Sequence, residues 1–445
     1  MIRRETTRIS GIQNGYKMTK VGLIPEEWSE GPVSSIAYVN PRTDISHLEE
    51  DSQIFFLSMG NVGEDGRICT MEIKPYAEVR NGYTVFADGD ILIAKITPCM
   101  ENGKGALVGN LKNGVGFGST EFHVLRPIDP SDAEFIYQLS RSSSFRREAI
   151  RYFTGSAGQQ RVSKDLFTHH LCPIPKPGER HRIAAVLSTV DAAIAATDEV
   201  IAKTEELKRG LMQDLLTKGI DEEGRVRSEE TDIFCEKTIN STTFKFPEPW
   251  EFKTMGDVIT LKRGYDLPSD ERLAGNVPVI SSSGISGYHQ EAKVCGPGVV
   301  TGRYGTLGEV FFIERDFWPL NTTLYVCNFK GNDPKFISYF LRLHLAAYQS
   351  DALSIPGINR NFVHKLLCAV PPLPEQHRIA AILSAVDRDL AAEREHRDRL
   401  QTLKKGLMQD LLTGRVRVPP NGAGGTACPG PERVTACDLP PGHTP

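Results

Sequence analysis

Apolar residues recur at spacings of three, four and seven along two stretches of this chain. In the first, Ile183, Val186, Leu187, Val190, Ile194, Ile201, Leu211 and Leu215 fall on one helical face. In the second, Ile379, Ile382, Leu383, Val386, Leu390, Leu400, Leu403, Leu407 and Leu411 do the same. Each stripe is entered through a proline-rich run, PIPKPGE ahead of His181 and VPPLPEQ ahead of His377, and each ends on GLMQDLLT. Proline fixes the backbone where a helix begins, so these runs mark the starts. Rods of about 36 residues would be roughly 55 Å long, more than a compact domain requires. Two stripes that narrow and that long are expected to bury one another as an antiparallel coiled coil.

Outside these stretches the pattern shortens towards period two. DILIAKI (90–96) and EFHVLRP (121–127), then VPVISSSG, GVVTGRYG and TTLYVCNF, read as strands divided by glycine and asparagine turns. A late helix is predicted in each block, over Asp132–Phe153 and Asp333–Gln349. The chain is therefore read as mixed α/β (α+β), with two globular domains separated by two long helices.

The two helices are copies. HRIAAVLSTVD (181–191) returns as HRIAAILSAVD (377–387), and from Leu171 to Thr217 the offset of 196 holds without a gap, with 26 of 47 positions identical. IPEEW (24–28) and FPEPW (246–250) open the two variable blocks, 222 positions apart, so the first block is 26 residues the longer. The organisation expected is a polar segment at 1–21, a first domain at 22–173, a helix at 174–218 and a linker at 219–244. A second domain at 245–370, a helix at 371–416 and a disordered proline- and glycine-rich tail at 417–445 complete it.

A length of 445 residues suits two to four units. The start is polar and no apolar run approaches a membrane span, so a cytoplasmic location is expected. Nine cysteines form no CxxC pair, and Cys172 and Cys368 occupy equivalent places in the repeat. They read as reduced, buried thiols rather than disulfides or metal ligands. Net charge is −4, with −6 over residues 25–173 and +1 over 245–370. Neither block is a basic patch, and a lone nucleic-acid binder needs cations against phosphates.

Catalytic signatures are missing. VNPRT (39–43) lacks the second proline and the aromatic of an amino-methylation motif. ENGKG (101–105) lacks the leading glycine of a phosphate loop, and the glycines of GVGFG (114–118) are misplaced for a dinucleotide site. Asp65, Glu72 and Lys74 offer the carboxylate and lysine of a metal-dependent nuclease but without its preceding PD pair.

With the proline entries, the HRIAAxLS starts, the GLMQDLLT ends and the PExW openings each occurring twice in order, the chain resembles the specificity subunit of a type I restriction-modification system over residues 17–416. That resemblance implies two target recognition domains on paired helices and no catalysis in this chain. It implies double-stranded DNA as ligand, two modification subunits using S-adenosylmethionine, and two restriction subunits using ATP and Mg2+. No metal or cofactor is expected on the chain itself. An autonomous two-domain DNA-binding protein is the alternative reading, and a self-contained nuclease or methyltransferase a third.

Sequence is read by side chains reaching base edges. In the first domain the loop candidates are Lys95, Lys104, Gln159, Gln160 and Arg161. In the second they are Lys262, Arg263, Tyr265, Ser282, Tyr288, His289, Arg303, Tyr304, Asn359 and Arg360. Arg141, Arg146, Arg147 and Arg151 on the first late helix suit phosphates better than bases. The helix frame expected to meet partners comprises His181, Arg182, Leu187, Leu211 and Leu215, with His377, Arg378, Leu383, Leu407 and Leu411. Paired antiparallel, such a frame would fix the domain separation and present equivalent faces to two copies of one partner.

Overall fold

The computed structural model describes residues 15–156, 159–239, 241–303, 309–351 and 357–420. Two long helices, Pro177–Thr217 and Leu373–Leu411, occupy the duplicated stretches. The chain divides into two compact units, residues 1–195 with 398–445 and residues 196–397, so each long helix contributes one half to each unit.

In the first unit, strands Glu72–Pro75, Gln53–Leu57, Val115–Gly118 and Thr84–Ala87 form one sheet in that order. A second sheet runs Ala37–Val39, Phe122–Pro127, Ile91–Ala94, Gly105–Leu107, antiparallel throughout. Continuous burial of Ile91–Ala94 explains its unbroken apolar run: both faces are covered. The expected single late helix is two, Ala133–Arg141 and Ser143–Ala149. Ser142 is extended, and its hydroxyl accepts from the Phe145 amide at 3.2 Å, so the serine run caps a new helix instead of continuing the old one. The start of the first long helix runs antiparallel beside the end of the second. Ile183 and Leu187 share a core with Leu411 and Leu412, and Asp191 accepts from Lys404 Nζ at 2.5 Å.

In the second unit, strands Thr260–Arg263, Thr323–Asn328, Gly298–Gly302 and Val310–Ile313 form an antiparallel sheet beside helix Pro334–Asp351. Gly284–His289, Val277–Ser281 and Trp318–Pro319 make a three-stranded sheet. Here the helix halves again run antiparallel: Leu215 and Leu216 pack with Ile379 and Leu383, while Lys208 meets Asp387 and Arg394 meets Glu205, each at 2.5 Å.

Three segments are more ordered than their composition suggests. Within the expected polar segment, Tyr16–Thr19 pairs with Gly22–Pro25. The expected linker holds a hairpin, Phe234–Ile239 with Thr242–Pro247, because alternation in TTFKFP brings Phe244 and Phe246 together against the Phe252 ring. Of the expected tail, Arg417 is engaged by Glu179, while residues 421–445 lie outside the described residues. Leu403, placed on the apolar stripe by spacing, is 50% exposed. Its neighbour Lys404 is the residue turned inward, held by Asp191.

Candidate nucleic-acid interface and its frame

The duplicated residues build the same clasp in each unit. In the first, the buried carboxylate of Glu179 accepts from Trp28 Nε1, Arg417 Nε and Arg417 Nη2, each at 2.8 Å. In the second, Glu375 accepts from Trp250 Nε1 at 3.2 Å, Arg227 Nη1 at 2.6 Å and the Ile220 amide at 2.9 Å. The tryptophans are those of IPEEW and FPEPW. Each arginine closes a tetrapeptide GRVR, residues 224–227 and 414–417, that follows a long helix. Gly219 and Gly414 turn the chain there at φ +67° and +76°, conformations that favour glycine at a helix end. A Cβ on Gly219 would strike Glu375 and Trp250, and one on Gly414 would strike Pro25 and Trp28. Although burial works against ionisation, hydrogen bonds from Arg417 and Trp28 hold the Glu179 carboxyl below its ordinary range.

A second duplicated contact lies deeper in each helix pair. Asp191 takes Lys404 Nζ and Gln138 Nε2, at 2.5 and 2.8 Å; Asp387 takes Lys208 Nζ and the Tyr339 hydroxyl, both at 2.5 Å. Leu187, Leu215, Leu383 and Leu411 are buried, and the half-buried Leu211 and Leu407 pack against the same cores, so each of these frame residues contributes to the core of its own unit. Arg182 donates to the Val418 carbonyl at 3.0 Å and Arg378 to that of Asp221 at 3.4 Å. His181 and His377 approach Asp132 and Asp333, at 3.4 and 3.7 Å, and remain partly exposed. Cys172 and Cys368 are buried, and desolvation pushes both thiols up to about 12. Cys69, Cys295 and Cys327 are exposed instead, on loops and near a strand end that the spacing did not distinguish.

In the first unit several candidates converge. The Lys95 amide donates to the Glu121 carbonyl, its carbonyl accepts from Val162, and Thr97 N donates to the Gln160 carbonyl, so the Lys95 and Arg161 segments lie side by side. Arg161 is bound bidentately by Glu121 at 2.8–3.0 Å. Gln159 is exposed and Gln160 half-buried. Lys104 adjoins the same segment through its backbone, its carbonyl accepting from the Ala94 amide at 3.0 Å, and its Nζ lies 3.4 Å from the Met59 carbonyl. The late-helix arginines are occupied: Arg141 by the Tyr137 hydroxyl, Arg146 by the Glu101 carbonyl, Arg147 by that of Ser143, and Arg151 by Glu148.

In the second unit, Lys262 and Arg263 are exposed at a strand end, and Lys262 Nζ lies 5.7 Å from the centre of the Tyr265 ring. Tyr265 shares a 3.0 Å hydroxyl contact with Tyr325. Tyr288 is exposed on strand Gly284–His289, opposite Pro278 and 5.9 Å from the Arg315 guanidinium, and Ser282 lies half-buried at the turn of that hairpin. His289 is no surface reader. It is 5% exposed, packs edge-on against Trp318, and accepts from the Leu273 amide at 3.0 Å. Asn359 is spent on capping: its side chain accepts from Asn361 N, starting a short helix on which Arg360 is exposed. The Arg303 backbone is fixed between Thr322 and Ile358, and Tyr304 lies outside the described residues. The nuclease-like acids are divided between local ion pairs, Asp65 with Arg67 and Glu72 with Lys74. Among the described residues no cluster of three His, Cys, Asp or Glu side chains is placed to hold a metal, and no helix is long and apolar enough to cross a membrane.

Two unlike modules, each tied by an identical clasp to a duplicated helix pair, define a scaffold built to carry two different surfaces. The family model for the type I restriction modification DNA specificity domain matches twice, at residues 25–206 and 247–402, and the chain belongs to that family. Over 161 residues it is 40% identical to the type I restriction enzyme EcoAI specificity subunit of Escherichia coli, a match covering 36% of this chain and 27% of that protein. The chain thus aligns with about a quarter of that relative's length. It is 22% identical to the putative type I restriction enzyme MjaX specificity subunit of Methanocaldococcus jannaschii, covering 91% and 97%. Its fold resembles the S subunit of a type I restriction-modification system from M. genitalium, with a TM-score of 0.57 at 14% identity, over 90% of this chain and 98% of that one.

Proposed function

We propose that this chain is the DNA sequence-recognition subunit of a type I restriction-modification complex, reading a bipartite, asymmetric target through two unlike modules and contributing no catalysis. The observation that carries this reading is the duplicated Trp–Glu–Arg clasp beneath modules whose exposed loops differ. Identical frames under different readers suit one partner met twice and two half-sites met once each.

Adenine methylation by two modification subunits using S-adenosylmethionine, and ATP- and Mg2+-dependent translocation and cleavage by two restriction subunits, belong to the partners in this proposal. Two equivalent surface features support the pairing with a duplicated partner. Leu207 and Leu403 stand at the same repeat position, 58% and 50% exposed. Three residues on, Gly210 and Gly406 sit inside helices, where glycine costs about 1 kcal/mol relative to alanine. No atom outside the local helix lies within 4 Å of where their Cβ atoms would be. Among the described residues nothing requires those glycines, and a close approach by a partner would account for their presence in both copies.

Co-expression with a type I modification subunit, followed by native mass measurement, tests the assignment. Two copies per chain are expected, with neither methylation nor cleavage by the isolated chain. Nanomolar, site-specific binding by the isolated chain in physiological salt would favour an autonomous DNA-binding protein instead.

A further inference from the structure

The first module carries a net charge of −6 over residues 25–173, yet on the reading above it must lie against polyanionic DNA. Most of its cations are already spent. Arg126 is paired with Asp90 at 2.7 Å, Arg161 with Glu121 and Arg151 with Glu148, while Arg141, Arg146 and Arg147 are held on neutral oxygens as described. Lys95 and Arg42 differ: neither side chain makes a hydrogen bond or ion pair among the described residues, and both line one open cavity of about 410 Å³.

The other polar groups in that cavity are arranged for a negative guest. The Asn40 side chain is consumed on both sides, its oxygen accepting from Val124 N at 2.9 Å and its nitrogen contacting His123 Nδ1 at 3.1 Å. Thr43 Oγ1 accepts from Arg126 at 2.8 Å, which leaves its own hydroxyl hydrogen free to donate. Thr84 adds a second hydroxyl to the wall. Two carboxylates close to these residues are neutralised, Glu121 by Arg161 and Asp90 by Arg126, and Asp44, next to Thr43, accepts from the Ser46 amide at 3.0 Å. Burial makes the charged form of Lys95 costly and lowers its pKa; the Glu121 charge offsets part of this and the Arg161 charge adds to it. A half-buried ammonium without a direct ion pair is a costly feature to keep. Its backbone is pinned by Glu121 and Val162, so the position is built rather than left to a mobile loop.

We infer that Lys95 and Arg42, with the hydroxyls of Thr43 and Thr84, form a phosphate-anchoring site that seats one backbone phosphodiester of the DNA. This rests on the DNA-recognition reading. It assigns Lys95 to positioning the duplex rather than to reading a base.

The test uses the chain co-purified with its modification subunit and fluorescent duplexes of arbitrary and of cognate sequence, titrated over a series of KCl concentrations. Losing one phosphate contact lowers the magnitude of the log affinity against log salt slope by about 0.9, roughly tenfold in affinity near 0.1 M salt. The double variant Lys95→Gln/Arg42→Gln is expected to show that loss on both duplexes equally, while Lys95→Arg keeps the wild-type slope. Arg42→Gln alone, at an exposed position, weakens both duplexes alike and separates a lost contact from a folding defect at Lys95. An unchanged slope in the double variant overturns the site, and so does a loss confined to the cognate duplex, which would mean base readout. A double variant that abolishes 31P line broadening of inorganic phosphate yet keeps the wild-type DNA slope would assign the cavity to a free anion and overturn the phosphodiester. Wild-type complex that binds no duplex at any salt would instead bring down the DNA-recognition reading itself.

Discussion

Replacing Arg227 by alanine removes the cation from the second clasp and nothing from the first. The Arg227 and Glu375 side chains are 10% and 4% exposed, and the pair is bidentate at 2.6 and 3.2 Å. The substitution leaves a buried carboxylate with only the Trp250 indole and the Ile220 amide as donors. Breaking a buried pair from one side costs about 3 kcal/mol, because the remaining charge stays desolvated. At about 1.4 kcal/mol per factor of ten, local opening becomes roughly 100-fold more frequent. Hydrogen exchange followed by mass spectrometry reads this directly: peptides over 215–227 and 247–254 should exchange faster by that factor, while those over 24–32 and 411–418 keep wild-type protection. Equal acceleration in both sets, or less than about a fivefold change in the first, would refute the claim that each clasp secures its own module.

The remaining expectations are as readily measured. Arg417→Ala should cost less, about 1–2 kcal/mol, since Arg417 is 36% exposed and water screens part of the loss, with the exchange pattern reversed between the two modules. Because the folded Glu179 carboxyl lies below its unfolded value of about 4.3, its contribution is fully present above that pH and is lost as pH falls through the folded value. Protection of peptide 411–418 should therefore decline in that acid window, and Glu179→Gln should remove this part of the dependence. Gly210→Ala with Gly406→Ala should raise the melting temperature, at about 1 kcal/mol per site, while weakening association with the modification subunit. A double variant that melts higher and associates normally would discount the partner-approach argument. Ser142→Ala should lower stability by about 1 kcal/mol in a thermal melt through loss of the cap on Ser143–Ala149, and no change would show that the cap is dispensable.

The parts of this molecule governed by local periodicity were legible in the sequence. Helix stripes, the strands at 91–94 and 122–127, and the duplicated frame all follow from spacing that short-range physics enforces. The clasp was half visible: its tryptophans and glutamates sit in the quoted repeats, but its arginines do not. GRVR recurs at an offset of 190 because six residues, Lys218–Glu223, intervene after the first helix, so a gapless alignment at 196 passes over it. Allowing that gap would have found Arg227 and Arg417. The hairpin Phe234–Ile239 with Thr242–Pro247 was hidden by its polar composition, since its inner face is only a few aromatic residues. For candidate readers, sequence could place glycine-flanked polar side chains on loops but not their tertiary partners. His289 looked free until Trp318 and Leu273, distant or offset in sequence, closed on it. Lys95 and Arg161 looked alike until Glu121 claimed one and left the other unpaired.

The central claim is that two unlike readers on one frame recognise two independent half-sites. Mapping methylated adenines genome-wide, in cells carrying the complete system with this chain and again with residues 245–370 exchanged for the corresponding module of another specificity subunit, tests it most directly. The account predicts a bipartite, asymmetric motif of which one half changes with the exchange while the other half is retained. A motif in which both halves change, or methylation at the original motif after the exchange, would contradict it.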